Sequence, residues 1–231
     1  RLLGWSVSAH ASGLAWRFRW ILGYPGCLLV LLVQTVAAVV GLWLPFDALL
    51  MPWLAGLLAA LQFWFNYRFA VVYHASDTMF LIGLGAVFAG AMDPANPTLG
   101  AASLLFLCVQ AMLAYFMAGK AKALAPVWRN GSHLVEILRR SAFRMEPLAD
   151  WLAVHRTFAR NLARSVILLE LFFPLCVVLP APLFFAVLGA GAIFHVSIAI
   201  SMGLHGFFWS FVATYPAFYF ARERLAELLF G

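Results

Sequence analysis

The chain has 231 residues, of which 65% are hydrophobic and only 10% are charged, and its formal net charge is +6 at pH 7. So few polar side chains cannot cover the surface of a soluble globular protein of this size, so the composition excludes that class and indicates a membrane protein. Because the apolar runs are rich in Leu, Phe and Ala and lack period-two alternation, they predict membrane-spanning helices and not barrel strands.

The long apolar runs predict about six membrane spans. A helix needs about 20 apolar residues to cross the hydrocarbon layer of about 30 Å. Runs of about this length occupy residues 22–44, 48–66, 70–91, 99–119, 163–179 and 182–202. The sequence therefore predicts an all-α fold, a polytopic transmembrane helical bundle in a single integral membrane domain over residues 1–231. Its parts are the first four spans in residues 20–120, cytoplasmic interfacial helices in 121–162, and the last spans with a C-terminal segment in 163–231.

Basic residues indicate how the bundle is oriented. The links at residues 45–47, 93–98 and 180–182 contain no Lys or Arg, and they alternate with strongly basic links. Because cytoplasmic loops are enriched in Lys and Arg, we expect the N-terminus and the basic links to be cytoplasmic, and the membrane to be a bacterial inner membrane. Membrane orientation also explains the excess positive charge, so no nucleic-acid partner is expected.

The polar connection between the fourth and fifth spans predicts two helices that lie in the membrane interface. In residues 132–143 the apolar side chains share one helical face, and the same pattern resumes from Pro147. Arg156, Arg160 and Arg164 form a stripe at positions i, i+4 and i+8. We expect anionic lipid phosphates as partners of this stripe, the alternative being a solvated basic face that only sets the topology.

The last apolar stretch, residues 183–220, is too long to be one helix. At about 1.5 Å per residue it would extend over roughly 57 Å, so it must break. The expected break points are Gly203, Gly206 and Pro216. A second full crossing would place Arg222 and Arg224 outside, whereas a re-entrant or interfacial return keeps them inside, so the return is favoured.

Ionisable residues near or within the spans are the candidate catalytic residues. They are Asp77, Lys122, Glu170 and His195. A charge inside a bilayer costs about 2.5–3.5 kcal/mol on insertion scales, so each requires a partner, water or a function. Residue counting places all of them in the cytoplasmic half, which predicts one polar pocket in the inner leaflet.

Each candidate also has a structural interpretation. Asp77 would cap a helix, and Lys122 would extend its ammonium to the lipid headgroups. Glu170 and His195 would be satisfied by neighbouring groups in the core. The three cysteines lie far apart in apolar runs, which favours buried hydrophobes over a disulfide, and no metal site is predicted.

Four segments resemble one membrane family. The segment Ala118-Gly-Lys-Ala-Lys-Ala-Leu-Ala-Pro-Val-Trp-Arg-Asn-Gly131 resembles the Ala-Gly-x-x-Lys…Trp-x-x-Gly segment of the vitamin K-dependent carboxylase-like family, often called the HTTM domain. Three more segments are similar to the family's motifs in the same order: Tyr73-His-Ala-Ser-Asp77, Leu168-Leu-Glu-Leu-Phe-Phe-Pro174, and the stretch from Phe194 to Leu204. Together they cover most of residues 20–220.

The resemblance implies a function for the first segment. In the carboxylase of that family, a lysine of this segment is the base that deprotonates vitamin K hydroquinone, a role that would fall on Lys122. The resemblance also implies a quinone-like or lipid ligand, with Trp128 and Arg129 as candidate cofactor-binding residues. This chain has no soluble segment longer than about forty residues, and Lys122 is predicted on the cytoplasmic side. Both departures argue against glutamate carboxylation.

Two functions from different classes remain. The first, slightly favoured, is an integral membrane subunit or maturation factor that packs against other membrane proteins, since small-residue patches such as residues 83–85 and 189–191 permit close helix contacts. The second is a membrane enzyme that binds a quinone-like or lipid substrate in the inner-leaflet pocket, with Lys122 as base or anion anchor. Candidate side chains that line a cavity open to lipid would favour the enzyme, and mutual burial without a cavity would favour the subunit.

Overall fold

The chain is all-helical in the parts that its computed structural model describes, residues 24–68, 75–140 and 145–230. These ranges hold eleven α-helices, one 3-10 helix at Phe173–Val178 and no strand, which confirms the expected fold class. In chain order the helices are α1 (Tyr24–Trp43), α2 (Met51–Arg68), α3 (Ala75–Ala91), α4 (Pro97–Leu124), α5 (Pro126–Arg129), α6 (Ser132–Arg140), α7 (Glu146–Val154), α8 (Arg156–Phe172), α9 (Ala181–Met202), α10 (His205–Val212) and α11 (Tyr215–Phe230).

Some sequence predictions fall outside these ranges. They concern the first residues of the spans predicted at 22–44 and 70–91, and the last residues of the interfacial helix predicted at 132–143. Tyr73, which opens one of the segments that resemble the carboxylase-like family, also lies outside the described residues.

Four helical stretches among the described residues are long and apolar enough to cross a membrane, which indicates an integral membrane protein. They are Gly26–Trp43, Pro97–Leu124, Arg156–Val178 and Ala181–Met202. All six predicted spans contain a helix. In the described part of the chain, two of these helices are either too short or too polar to be counted as spans. Helix α3 is apolar but has only 17 residues, and α2 carries the polar residues Gln62, Asn66 and Arg68.

Helix α4 extends beyond the span predicted at residues 99–119. It begins at a side-chain cap, because the Asn96 carbonyl oxygen accepts hydrogen bonds from the backbone N–H groups of Thr98 and Leu99. Its 28 residues correspond to about 42 Å, which exceeds the hydrocarbon thickness of about 30 Å. Lys122 therefore lies on the last turn of this long helix and not in the connection that follows it.

The predicted surface helix from Pro147 to Phe158 is in fact divided at His155. The Nδ1–H group of His155 donates to the carbonyl oxygen of Trp151 at 2.8 Å, and the two rings stack with centroids 4.2 Å apart. The backbone N–H of His155 donates to the same carbonyl at 2.9 Å, and α7 ends here because His155 has a ψ of +60°, which is not helical. Helix α8 begins at Arg156 and continues without a break to Phe172. The predicted arginine stripe therefore lies on the same helix as Glu170.

Two clusters of buried side chains hold these helices together. The larger one joins α3, α4, α9, α10, α11 and the 3-10 helix, and its fully buried rings are Tyr115, Phe173, Phe184 and Phe218. The smaller one joins α6, α7 and α8 through Leu138, Ala149, Leu152 and Ala159. The apolar face of the helix predicted at residues 132–143 is therefore turned, at Leu138, towards α7 and α8.

The C-terminal stretch breaks twice. Gly203 follows α9 with a φ of +75°, a left-handed conformation that glycine adopts without strain. Helix α10 has only 8 residues, about 12 Å, and α11 then begins at Tyr215 with Pro216 in its first turn. The expected break at Gly203 is confirmed. Gly206 and Pro216 are each the second residue of the helix that follows a break, so the chain breaks just before them and not at them, and Gly206 faces Ser76.

Candidate functional site

Lys122 and Glu170 form an ion pair between α4 and α8. The Lys122 ammonium donates to both Glu170 carboxylate oxygens, at 2.5 and 2.6 Å. The Glu170 side chain is only 5% exposed and that of Lys122 is 20% exposed. A buried charge requires a partner, and here each charge has the other. Lys122 is therefore held by the protein and is not a free amine.

Gly119 allows the two helices to approach closely enough for this pair. It lies three residues before Lys122, and a Cβ atom added to it would be 2.7 Å from the backbone nitrogen of Leu171 and 3.0 Å from the carbonyl carbon of Glu170. Only a glycine fits against the backbone of α8 at this distance. The Gly119 contact and the ion pair therefore depend on the same helix spacing.

A second polar pair lies on the same face of α4. The Tyr115 hydroxyl and His195 Nε2 are 2.8 Å apart, and both residues are 2% exposed. Tyr115 stacks on Phe173 with ring centroids 3.9 Å apart, and His195 stacks on Phe211 at 4.7 Å. Tyr115 precedes Lys122 by seven residues, about 10 Å along the helix. Helix α4 thus carries two polar pairs, one near its end and one about two turns deeper.

Two buried polar atoms near this deeper pair have no hydrogen-bond partner among the described residues. They are His195 Nδ1 and the Tyr215 hydroxyl oxygen, which makes no hydrogen bond of ordinary length but interacts with the Tyr115 hydroxyl. Tyr215 lies close to α9, where a Cβ atom added to Gly191 would be 2.7 Å from the Tyr215 hydroxyl. Buried polar groups are almost always hydrogen-bonded, so such atoms mark a place where water or a ligand can bind.

The two candidate cofactor-binding residues differ in position. The Lys122 ammonium lies 5.2 Å from the centre of the Trp128 ring, within cation-π range, and Trp128 also contacts His133 edge to face at 5.3 Å. Trp128 is therefore a third group around Lys122. Arg129 is exposed at the end of the short helix α5.

Asp77 lines a different surface from the one that Lys122, Glu170 and His195 occupy. It lies in the first turn of α3 and lines an open groove of about 630 Å³ between α1, α2 and α3. Its backbone carbonyl accepts a hydrogen bond from the Asn66 side chain at 3.4 Å. Depth along a helix could be counted from the sequence, but the side of the bundle that each helix faces could not.

The groove contains a ladder of amide side chains that the sequence analysis missed. Gln34 donates to Gln62 at 3.0 Å, and Gln62 donates to Asn66 at 3.0 Å. Gln34 lies near the middle of α1, roughly 15 Å from either end of the helix, and is partly exposed. The sequence signal for this ladder is an uncharged amide, Gln34, inside an apolar run. The sequence analysis considered only ionisable residues in such runs.

Tyr115 and Gly119 were missed as well. Both lie on the face of α4 that leads to Lys122, at intervals of four and three residues, so helical spacing from the predicted lysine would have pointed to them. Their partners in α8 and α9 lie 50 to 80 residues further along the chain, and no local pattern indicates them.

Comparison with family models, curated proteins and solved structures gave no match. The functional argument therefore depends on the residues and their geometry.

Proposed function

We propose that this chain is an integral membrane subunit or maturation factor that packs against other membrane proteins. The groove between α1, α2 and α3 is the observation that carries the proposal. Lipid tails provide no hydrogen-bond partners, so amide groups open to the side of a membrane helix are unfavourable unless another protein covers them. The occupant that fits is a membrane-spanning helix with a hydroxyl or amide side chain opposite Gln34.

Two further features support packing against other proteins. Only 11% of the residues in Gly26–Trp43 are buried, so most of the surface of α1 is available for contacts. A Cβ atom added to Gly83, Gly85 or Gly189 would meet no atom of the described residues within 4 Å, so the described part of the bundle does not use these small-residue positions for contacts. Small residues on an outer face permit close approach of another helix.

The proposal includes the topology that the sequence favours. It comprises six spans, a cytoplasmic N-terminus in a bacterial inner membrane, and a C-terminal segment that re-enters or returns along the interface. The 12 Å length of α10 supports the return, because a helix of 8 residues cannot cross the hydrocarbon layer. Membership of the HTTM type remains part of the proposal, and the segment from Ala118 to Gly131 supports it.

Photo-crosslinking in cells tests the subunit proposal. A photoreactive residue in place of Val39, which lines the groove, is expected to form a defined adduct with another membrane protein. The added substitution Gln34→Leu is expected to reduce that adduct, because it removes the amide from the ladder. A photoreactive residue in place of Ile193, which is 70% exposed on α9, is the control. Lipid adducts alone at both positions, or an adduct unaffected by Gln34→Leu, would contradict the proposal.

A membrane enzyme with a quinone-like or lipid substrate is the second candidate. The unpartnered His195 Nδ1 and Tyr215 hydroxyl favour it, because quinone oxygens accept the hydrogen bonds that such groups donate. Lys122 would act as base or anion anchor, and would first have to leave Glu170 or transfer its proton to it. Lys122, Glu170 and His195 line neither the groove nor the basic cavity described below, which is why this candidate comes second.

Quinone binding tests this second candidate. We expect saturable binding of a short-chain naphthoquinone to the detergent-solubilised protein, measured by equilibrium dialysis. Tyr215→Phe removes one hydroxyl that has no described partner, and should weaken binding about tenfold, the effect of one hydrogen bond. Tyr219→Phe, an exposed position four residues further along α11, is the control. Absence of saturable binding, or equal effects of both substitutions, would rule out this site.

A further inference from the structure

A basic cavity of about 660 Å³ lies outside the candidate site, between α6, α7 and the first turns of α8. Four arginines and a single carboxylate are among the side chains that line it. They are Arg139, Arg140, Arg156, Arg160 and Glu136. A concave surface with this excess of guanidinium groups favours an anion, because guanidinium binds phosphate and carboxylate oxygens through paired N–H groups.

The arginines of α6 and α8 differ in how they are neutralised. Arg139 bonds to Asp150 at 2.8 Å, and Arg140 bonds to Glu136 at 2.7 Å. Arg156 and Arg160 have no carboxylate partner in the part of the chain that the structure describes. The two positive charges on α8 are therefore the ones left for an external anion.

The position of Arg156 and Arg160 increases the local positive potential. Both lie in the first turns of α8, whose N-terminal end carries the positive end of the helix dipole, and no acidic residue occupies its first turn. Cations at this end of a helix repel the dipole, so an anion bound between them relieves an unfavourable arrangement.

The helices that form the cavity also carry apolar surface, which indicates that the anion belongs to a lipid. Large apolar side chains are exposed on α7 and α8, and they are Leu148 (40%), Trp151 (44%), Val154 (79%), Phe158 (52%) and Leu162 (39%). Phe158 and Leu162 lie on the opposite face of α8 from Arg156 and Arg160, because residues two positions apart point away from each other. A helix with one basic and one apolar face is typical of the membrane interface, where lipid phosphates are the anions at hand, whereas free phosphate gains nothing from the apolar face.

The turn before α6 fixes the cavity against α8. Gly131 has a φ of +82°, and a Cβ atom added to it would be 2.7 Å from the carbonyl carbon of Ala159 and the backbone nitrogen of Arg160. The turn therefore lies directly on the backbone that carries Arg160. This contact gives the cavity a defined wall, which a flexible basic stripe would not have.

We propose that the cavity between α6, α7 and α8 binds the phosphate headgroup of an anionic phospholipid, with Arg156 and Arg160 as its charged ligands. Arg164, the third member of the predicted stripe, is exposed one turn further along α8 and does not line the cavity. A specific site therefore requires Arg156 and Arg160 but not Arg164. General attraction to an anionic membrane would involve all three arginines.

Native mass spectrometry and thermal unfolding test the proposal on the 231-residue chain in detergent. Phosphatidylglycerol is expected to bind and to raise the unfolding temperature more than phosphatidylcholine does. The double substitution Arg156→Gln/Arg160→Gln should weaken phosphatidylglycerol binding about 30-fold, at the usual contribution of each basic residue near an anionic membrane surface. Arg164→Gln is the matched control, and should change binding less than about twofold.

Other outcomes would overturn the proposal. Equal losses for Arg164→Gln and the double variant would indicate general charge attraction, and equal binding of both lipids would exclude a headgroup site. Inorganic phosphate or glycerol phosphate that reproduces the stabilisation at millimolar concentration would identify a site for a soluble anion instead. If the double variant does not fold, Arg156→Lys/Arg160→Lys keeps the charge but loses the paired N–H geometry, and should still weaken binding. The comparison of the two lipids on the unsubstituted protein does not depend on any variant.

Discussion

Replacing Lys122 by methionine is expected to lower the free energy of unfolding by about 3–5 kcal/mol, because Glu170 would remain buried without its partner. Glu170→Met should have a similar effect, because it leaves the Lys122 ammonium unpaired at the end of α4. Burial of the two charges costs desolvation free energy, and burial of two methionine side chains does not. The double substitution Lys122→Met/Glu170→Met should therefore recover most of the free energy of unfolding that each single substitution loses. Reversible unfolding in mixed detergent micelles, followed by tryptophan fluorescence, measures all of these variants.

A nearby lysine provides the control for this experiment. Lys120 is exposed two residues earlier on α4, so Lys120→Met should change the free energy of unfolding by less than about 0.5 kcal/mol. Single variants of Lys122 and Glu170 that both stay within about 1 kcal/mol of the unsubstituted protein would show that the pair does not hold α4 and α8 together. A double variant as unstable as the singles would show that the two effects are unrelated.

Gly119→Ala is expected to be the next most damaging single substitution, with a loss of about 3 kcal/mol. The added methyl would meet backbone atoms of Glu170 and Leu171 at 2.7 to 3.0 Å, and backbone cannot move aside as a flexible side chain can. Overpacking of this kind costs about 1–3 kcal/mol, and here the separation of α4 from α8 also lengthens the Lys122–Glu170 hydrogen bonds. The same micelle unfolding experiment measures the loss.

Gly189 is the matched control for Gly119. It lies inside α9, a helix of similar composition, and an added Cβ atom would meet nothing within 4 Å. Gly189→Ala should therefore be neutral or stabilising by up to about 1 kcal/mol, since alanine favours the helix over glycine. If Gly119→Ala behaves like Gly189→Ala, the close contact between α4 and α8 is not required.

The fold was largely predictable because a lipid bilayer permits few backbone structures. Backbone groups inside a bilayer must bond within a helix, so each long apolar run had one structure available to it. The turn residues then located the breaks, as Asn96 does for the start of α4 and Gly203 for the end of α9. The break at His155 was not predictable in this way, because no glycine or proline marks it.

The candidate site was predictable only in part. Ionisable residues are rare in long apolar runs, so Lys122, Glu170 and His195 could be identified from the sequence. What each one bonds to depends on how the helices rotate and pack, so neither the Lys122–Glu170 pair nor the Tyr115–His195 pair could be read from spacing. For the same reason the groove that Asp77 lines could not be read from the sequence. Equal depth in a bilayer does not mean the same side of a bundle.

The amide ladder has a consequence for biogenesis. Helix α1 is synthesised before α2, and during that interval the Gln34 amide has not yet met Gln62, with which it bonds in the finished fold. A glutamine alone in hydrocarbon is poorly tolerated, so release of α1 from the insertion machinery is favoured only once α2 has emerged beside it. Helix α1 would then enter the lipid with its glutamine already bonded to α2.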